Sequence, residues 1–188
     1  MKYTHLLKFI IAYSSVFLLF DIQSAYSQAR SGIGIAYSKN KPYSGDYNFG
    51  GGFQVQGDIK LLDKLAIVPN FGFEEVNSKG RIVYEQFTTK RISSLDLFYI
   101  GASAKYFFNK NFFAKGGAIV FIAGGNEDIS GGGIGGTAAA GYSLNLDNHS
   151  SLEFSVNTDL IYVKYSSNGL TPIGGLKIAY IFNFRASK

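Results

Sequence analysis

FGGGFQVQGDIKL, residues 49–61, decides the fold. Side chains of an extended strand point alternately to its two faces. In this stretch Phe49, Phe53, Val55, Ile59 and Leu61 share one face, while Gln54, Gln56, Asp58 and Lys60 share the other. A helix would wrap both sets around its circumference, so the period of two predicts a strand with one apolar and one polar face.

The same pattern recurs on both sides of this stretch. SGIGIAYS (31–38) sets Ile33, Ile35 and Tyr37 against Gly32, Gly34 and Ala36. LAIVPNFGFEEV (65–76) sets Leu65, Ile67, Phe71 and Phe73 against Asn70, Gly72 and Glu74, with Pro69 a blemish because proline lacks a ladder donor. From Ser94 to Phe108, Phe98, Ile100, Ala102, Ala104 and Tyr106 oppose Tyr99, Gly101, Ser103 and Lys105. FFAKGGAIVFIA (112–123) has bulky residues in both phases, so its faces stay open; if Lys115 points inward, Ile119 and Phe121 do too. A sixth segment places Ile134, Ala138, Ala140, Tyr142 and Leu144 opposite Thr137, Gly141, Ser143 and Asn145. The seventh pairs Leu152, Phe154, Val156 and Leu160 against Glu153, Ser155, Asn157 and Asp159. The eighth pairs Leu176, Ile178, Tyr180 and Phe182 against Gly175, Lys177, Ala179 and Asn183.

The expectation is therefore an all-β chain of eight antiparallel strands running up and down. Its connections alternate in length. Leu62 to Lys64, Asn109 to Asn111 and Asp147 to Ser151 are short, while Lys39 to Asn48, Asn77 to Ser93 and Ala123 to Gly132 are longer and polar; Ser166 to Thr171 is a short exception. Short turns at one end and long loops at the other are the pattern of a bacterial transmembrane barrel with its short turns in the periplasm.

Ahead of the strands, Lys2 and Lys8 precede the apolar run Phe9 to Phe20 and the small-residue pattern Ala25-Tyr26-Ser27. That is the layout of an export signal, too short to span a bilayer as a helix, which needs about 20 apolar residues. Residues 1–27 are read as a cleaved signal and 28–188 as one barrel domain, with cleavage after Ala29 the alternative. Cysteine is absent, which excludes disulfides and thiolate metal sites. Charged residues make up 16% of the chain against roughly 25% in soluble domains. The formal charge of +5, lowered by one when the signal leaves, is not gathered into a basic stripe, so nucleic acid is not an expected partner.

Alternation alone does not say which face meets water. The polar face is rich in Gly, Ala, Ser, Asn and Gln and sparse in charge, which suits the narrow interior of an eight-stranded barrel rather than a water-covered sheet. Aromatics gather near the short turns, at Tyr106, Phe107, Phe108, Phe112, Phe113, Phe182 and Phe184, where an interfacial girdle belongs. A soluble lipocalin-like carrier is disfavoured by the scarcity of surface charge.

From Ser31 to Phe184 the arrangement resembles the small single-chain outer-membrane β-barrels, the OmpX-like proteins and the transmembrane domain of OmpA-like proteins. The last strand carries the most specific part of the likeness. Gly175 to Tyr180 and the closing Phe182-Asn183-Phe184 resemble the C-terminal insertion signal, with Gly175, Tyr180, Phe182 and Phe184 as its marks. A tail from Arg185 to Lys188 departs from a strictly terminal aromatic. The resemblance implies an outer-membrane location, the barrel-assembly machinery as a partner, outer-membrane lipid and lipopolysaccharide as surroundings, and a monomer.

Little in the sequence suggests catalysis, and no cofactor is expected. His149 is the one histidine beyond the signal; beside Ser150, Ser151 and Glu153 it superficially resembles a nucleophile, base and orienter, yet it falls in a short turn. Asn126, Glu127 and Asp128 offer oxygen ligands but read as a solvated loop. In the second long loop Lys79, Arg81, Lys90 and Arg91 surround Tyr84 and Phe87, a set able to touch lipopolysaccharide phosphates. The functional expectation is a non-enzymatic barrel with a filled lumen, in an envelope-structural or loop-mediated role; a narrow pore and a lipid-acting enzyme are the alternatives.

The lumen is expected to hold Gln54, Gln56, Asp58, Lys60, Glu74, Lys105 and Glu153. Lys105 and Lys115 flank one turn symmetrically and would stand opposite each other; like charges so placed repel, so an acid such as Asp58 or Glu153 should approach them, or Lys115 should turn outward. A last hairpin centred on Ser167 and Asn168 would bring Asp159 and Lys177 together as a lumen ion pair.

Overall fold

In a computed structural model the protein is a closed antiparallel barrel, described over residues 29–43, 45–80, 82–85, 88–91, 94–124, 131–162 and 170–184. Its barrel strands are β1 (Gly32–Pro42), β2 (Gly50–Leu62), β3 (Leu65–Val76), β6 (Leu95–Phe107), β7 (Phe112–Gly124), β8 (Gly131–Asn145), β9 (Ser150–Tyr162) and β10 (Leu170–Asn183). The order around the wall is β1-β10-β9-β8-β7-β6-β3-β2. Every strand pairs with its neighbours in sequence, and β1 closes on β10 from Gly32↔Asn183 to Pro42↔Ile173. Closure removes the unpaired edges that an open sheet would present. The barrel strands run 11 to 15 residues, enough to cross a bilayer, for which about 9–11 tilted residues suffice.

The wall follows the alternation. On β1 burial alternates strictly, with Ile33, Ile35 and Tyr37 outside and Ala36, Ser38 and Asn40 inside. Phe53 is 69% exposed and Gln54 beside it in the strand 5%. The apolar face thus points away from the protein, the reverse of a soluble barrel. Pro69 sits on that outer face in the middle of β3. The β2–β3 ladder has a gap between Gln56↔Asn70 and Ile59↔Ile67, the interval facing its hydrogen-free nitrogen, while Pro69↔Ala102 still aligns β3 with β6.

Three features depart from the expectation. β1 continues through Lys39 to Pro42, so the first long connection begins at Tyr43. The second contains a separate two-stranded ribbon, β4 (Ile82–Glu85) with β5 (Thr88–Arg91), in register Ile82↔Arg91 to Glu85↔Thr88. Each of its strands has four residues, too few for a period to be read. The third is the last hairpin, whose register centres about one and a half residues nearer the N-terminus than expected, with Leu170↔Tyr162. Residues 1–27, assigned to the export signal, lie outside the described residues, as do Asn126, Glu127 and Asp128.

Residues 29–31 tuck beneath the short-turn mouth of the barrel. The Ala29 amide donates to the Asp63 carbonyl at 3.0 Å, and its methyl is buried against Ala66, Phe107 and Phe113. Cleavage after Ala29 would delete these contacts, so the mature chain is expected to begin at Gln28, which intact-mass measurement checks. Packing also constrains Gly117, whose missing side chain points inward: a Cβ there would overlap the Ala102 carbonyl oxygen and crowd Ser103. Gly117→Val is expected to destabilise the barrel by about 1–3 kcal/mol, as overpacking does, read as a lower urea midpoint in refolding; an unchanged midpoint would contradict this close approach.

Candidate functional site

The inner wall carries one connected polar system, built on the sequence Gln54-Val55-Gln56-Gly57-Asp58. Because the inward residues of β2 are spaced two apart, their side chains stack along the lumen and can bond to one another. Gln54 Nε2 donates to Gln56 Oε1 at 3.0 Å, and Gln56 Nε2 to Asp58 Oδ1 at 3.4 Å. Lys177 Nζ, from β10, donates to Gln54 Oε1 at 2.6 Å, and the Tyr99 hydroxyl of β6 to the same oxygen at 3.1 Å. At the other end Lys105 Nζ meets Asp58 Oδ2 at 2.6 Å and Glu153 Oε1 as a second partner.

Lys105 is the centre of this system. Its side chain is 1% exposed, and those of Asp58 and Glu153 are 7% and 5%. The three belong to β6, β2 and β9, so the ammonium ties separate arcs of the wall together across the lumen. Its Nζ also lies 5.3 Å and 4.9 Å from the ring centroids of Phe107 and Phe113, within cation–π range. Lys115 stands directly opposite Lys105 in the β6–β7 ladder. It shares the inner face with Ile119 and Phe121, both buried. Two opposed lysines are tolerable here because both carboxylates gather on one of them.

The remaining interior residues fall into two groups. Glu74 is buried and accepts from Ser38 Oγ at 3.5 Å, and Asn40 Nδ2 donates to Ser38 Oγ at 3.1 Å. Asp159 accepts from Asn157 Nδ2 at 3.1 Å. Glu74, Asp159, Lys115 and Lys177 bound a cavity of about 20 Å³ for the centre of a water molecule, hardly more than one water requires. Ser103 Oγ and Asn157 Oδ1, which have no hydrogen-bond partner among the described residues, belong to residues of that lining.

Two of the expected placements need correction. Asp159 and Lys177 are both inward and buried, but they are not an ion pair: Asp159 is cross-strand from Ile173 and Lys177 from Ser155, and Lys177 bonds to Gln54 instead. Ile173 stands opposite Asp159 where Lys177 was expected, four residues away along β10, an even displacement that preserves the face and loses the contact. Lys60 is not a lumen residue. The β2–β3 register shifts between Lys60 and Leu62, and its ammonium emerges at the short-turn rim to bond Asp63 at 2.8 Å.

The residues marked on the last strand divide between the faces. Tyr180, Phe182 and Phe184 are outward, Phe182 and Phe184 in edge contact at 6.3 Å. With Tyr106–Phe108 and Phe112–Tyr142, at 5.4 and 5.0 Å, they form a girdle at the short-turn end. Gly175 is an inward position whose absent Cβ leaves room for the Asn40 side-chain amide. His149 lies in the exposed turn between β8 and β9, engaged through its backbone: its N–H donates to Asp147 Oδ1 at 2.6 Å and its carbonyl accepts from Asn183. Hydrogen bonds from His149 and Ser150 hold the Asp147 carboxyl below the usual carboxylate range. Glu153 is committed to Lys105.

Sequence reasoning missed the apolar layers at the ends of the lumen. Toward the long loops, Tyr47, Val76, Leu95, Leu97, Ile119, Phe121, Ile161 and Ile173 form one buried cluster inside the barrel. Toward the short turns Phe107 and Phe113, expected in the girdle, instead face inward, because they alternate with the outward Tyr106, Phe108 and Phe112, and with Ala29 and Ala66 they form another cluster, its two rings 5.8 Å apart. The available signal was the breakdown of alternation in runs such as Ile119 to Ile122.

The outward band of Ile, Leu, Val and Phe, the aromatic girdle and the polar interior define a transmembrane β-barrel. No protein-family model and no curated protein matches the sequence. Solved structures do match in fold. Ail, the attachment invasion locus protein of Yersinia pestis, superposes with a TM-score of 0.54 at 14% identity, covering 84% of this chain and 99% of that one. Neisserial surface protein A gives 0.54 at 15%, covering 82% and 96%. The outer membrane protein OprG from Pseudomonas aeruginosa gives 0.50 at 11%, covering 87% and 97%. The protein thus has the fold of the small eight-stranded barrels of bacterial outer membranes, and its apolar wall places it in that membrane.

Removing the Lys105 ammonium would strand two buried carboxylates. Lys105→Met is expected to lower the unfolding free energy by about 3–5 kcal/mol, as breaking a buried pair does, while Glu153→Gln, which keeps one partner, should cost less. Urea titration in micelles measures both; equal and small effects would show that the triad does not hold the wall.

Proposed function

We propose that this integral outer-membrane barrel is non-conducting and non-enzymatic, and that it acts through its outer rim and long loops, either as an envelope component or by presenting those loops to a partner. The observation that carries this reading is the arrangement of the lumen: a polar middle bridged by Lys105, with an apolar layer on each side of it. An ion entering from either end would shed water against these apolar side chains, and desolvating a charge without compensation is prohibitively costly. The non-enzymatic part of the reading is supported by the commitments of the polar side chains. Glu153 neutralises Lys105, and His149 is held at an exposed turn away from the lumen.

The protein is read as a monomer inserted by the barrel-assembly machinery, with Gly175, Tyr180, Phe182 and Phe184 as the insertion signal and residues 1–27 removed on export. Outer-membrane lipid and lipopolysaccharide are its surroundings. Sequence reasoning placed lipopolysaccharide contacts on the second loop. Of that set Lys79 donates to the Gly45 carbonyl at 2.8 Å; Arg81 lies outside the described residues, as do the side chains of Lys90 and Arg91.

Purified protein in planar bilayers is expected to give no steady conductance. Replacing the apolar layers, with Leu97→Ala and Phe121→Ala on one side and Phe107→Ala and Phe113→Ala on the other, should produce a small, reproducible one. Steady conductance from the unaltered protein would favour the narrow pore and reject a sealed lumen.

A further inference from the structure

The outward face of β1 reads Ile33, Ile35, Tyr37, Lys39, Lys41 from the short-turn end toward the loops. The first three belong to the apolar wall, and the change to lysine is abrupt. Tyr37 stacks on Phe53 at 5.3 Å, and Lys39 is flanked by Leu176 on β10 and Gly51 on β2. Leu176 is 65% exposed and belongs to the apolar band, so the two lysines stand at the upper edge of the hydrocarbon, at the level of outer-leaflet headgroups.

Both ammoniums are drawn over one ring: Lys39 Nζ is 5.4 Å and Lys41 Nζ 5.1 Å from the centroid of Phe49. Among the described residues neither has a carboxylate within 4 Å. The outward acids on the strands along this rim, Glu75 and Asp96, are on β3 and β6, with Gly51 of β2 between Glu75 and Lys39. Like charges brought to one ring repel, and the arrangement is relieved by an anion that accepts from both. Beside Lys41 the wall has a hollow of about 360 Å³, bounded by Tyr43, Lys79 and Val156 and floored by Gly174. The outward Lys41, Tyr43 and Val156 set it against the outer side of the wall, with Asn157 and Gly175 also in its lining.

We infer that Lys39 and Lys41, held over Phe49, bind a phosphate of a phosphorylated glycolipid of the outer leaflet, of the lipid A type, with part of its sugar headgroup in the adjoining hollow. Two ammoniums offer six donors to an anion with oxygens on every side, and a charge-assisted contact of this kind is about twice as strong as a neutral one. Approach from the side selects a lipid over a soluble polyanion, which would meet the loop tips first. The inference rests on the proposed orientation with the long loops outside.

The test uses the full mature protein in phosphatidylcholine nanodiscs, titrated with diphosphoryl lipid A and read by native mass spectrometry, with heat-modifiable electrophoretic mobility as the check on folding. A juxtamembrane lysine is worth roughly a fivefold change in binding. Lys39→Gln or Lys41→Gln should therefore weaken binding about fivefold and the double variant about thirtyfold. The double arginine variant should bind like the unaltered protein, and Lys110→Gln, in a periplasmic turn, should do the same. Dephosphorylated lipid A should bind the unaltered protein as weakly as lipid A binds the double glutamine variant. Undiminished binding by a folded double variant would overturn the inference. So would equal binding of dephosphorylated lipid A, equally tight binding of inorganic phosphate, or preference for a sulfated polysaccharide. A barrel that conducts yet shows lysine-dependent lipid A binding would sink the sealed lumen alone; a silent barrel whose lipid A binding ignores both lysines would sink this site alone.

Discussion

The contact of Lys105 with Asp58 and Glu153 is the constraint on which the rest of the interior depends. An outer wall facing lipid has little preference among registers, because sliding one strand past another by two residues exchanges one apolar contact for another. The inside discriminates. A buried ammonium needs its carboxylates, and separating them costs several kcal/mol. A lysine from β6 reaching acids on β2 and β9 therefore fixes how far those strands are displaced along the barrel axis. Specificity arises from polar pairing, while the apolar surface supplies insertion.

The triad is also protected from water by its neighbours. Phe107 and Phe113 place their ring faces near the Lys105 ammonium and at the same time close the lumen toward the short turns. On the opposite side, beyond Tyr99 and Gln54, the cluster around Leu97, Phe121 and Ile161 closes it toward the loops. Between the layers the effective dielectric falls and each polar contact strengthens, which is also why every member has to be placed. The chain Lys177–Gln54–Gln56–Asp58–Lys105 meets that demand through consecutive inward positions of one strand.

How much of this was legible in the sequence follows from what alternation encodes. It records a difference in environment between the two faces. Where β2 has lipid outside and polar groups inside, Gln54, Gln56 and Asp58 announce themselves against Phe53, Val55 and Ile59. Where the lumen is sealed by hydrocarbon, both faces are apolar and the signal vanishes, so Ile119 to Ile122 carries no readable phase although its inner residues close the barrel. Register is a different quantity again. For Lys105 and Lys115 the turn is short, and its centre can be read from Asn109 to Asn111. For Asp159 and Lys177 the centre was placed one to two residues too far along, and the shared face survived where contact did not. Lys60 failed for a third reason: its face was read correctly, but a strand face becomes solvent once the wall ends, and a register shift at Leu62 marks that end.

The same reasoning explains why charge on the outer wall is informative. Between the girdle at Phe182 and Phe184 and the upper rim, the outward positions of β1, β2 and β10 are apolar or glycine: Ile33, Ile35 and Tyr37, then Val55, Phe53 and Gly57, then Tyr180, Ile178 and Leu176. Lipid tolerates nothing else there, since a lysine at the bilayer midplane of a barrel costs roughly 2–4 kcal/mol, falling toward zero at the interface. The first outward charges, Lys39 on β1, Glu75 on β3 and Asp96 on β6, mark the height at which that penalty ends. Below it, outer-wall residues serve insertion and are interchangeable among apolar types. Above it, a side chain is free of the membrane's veto, and its identity reflects what it meets. With the lumen filled and the wall generic, the rim and the loops are the part of this barrel where sequence can encode a partner.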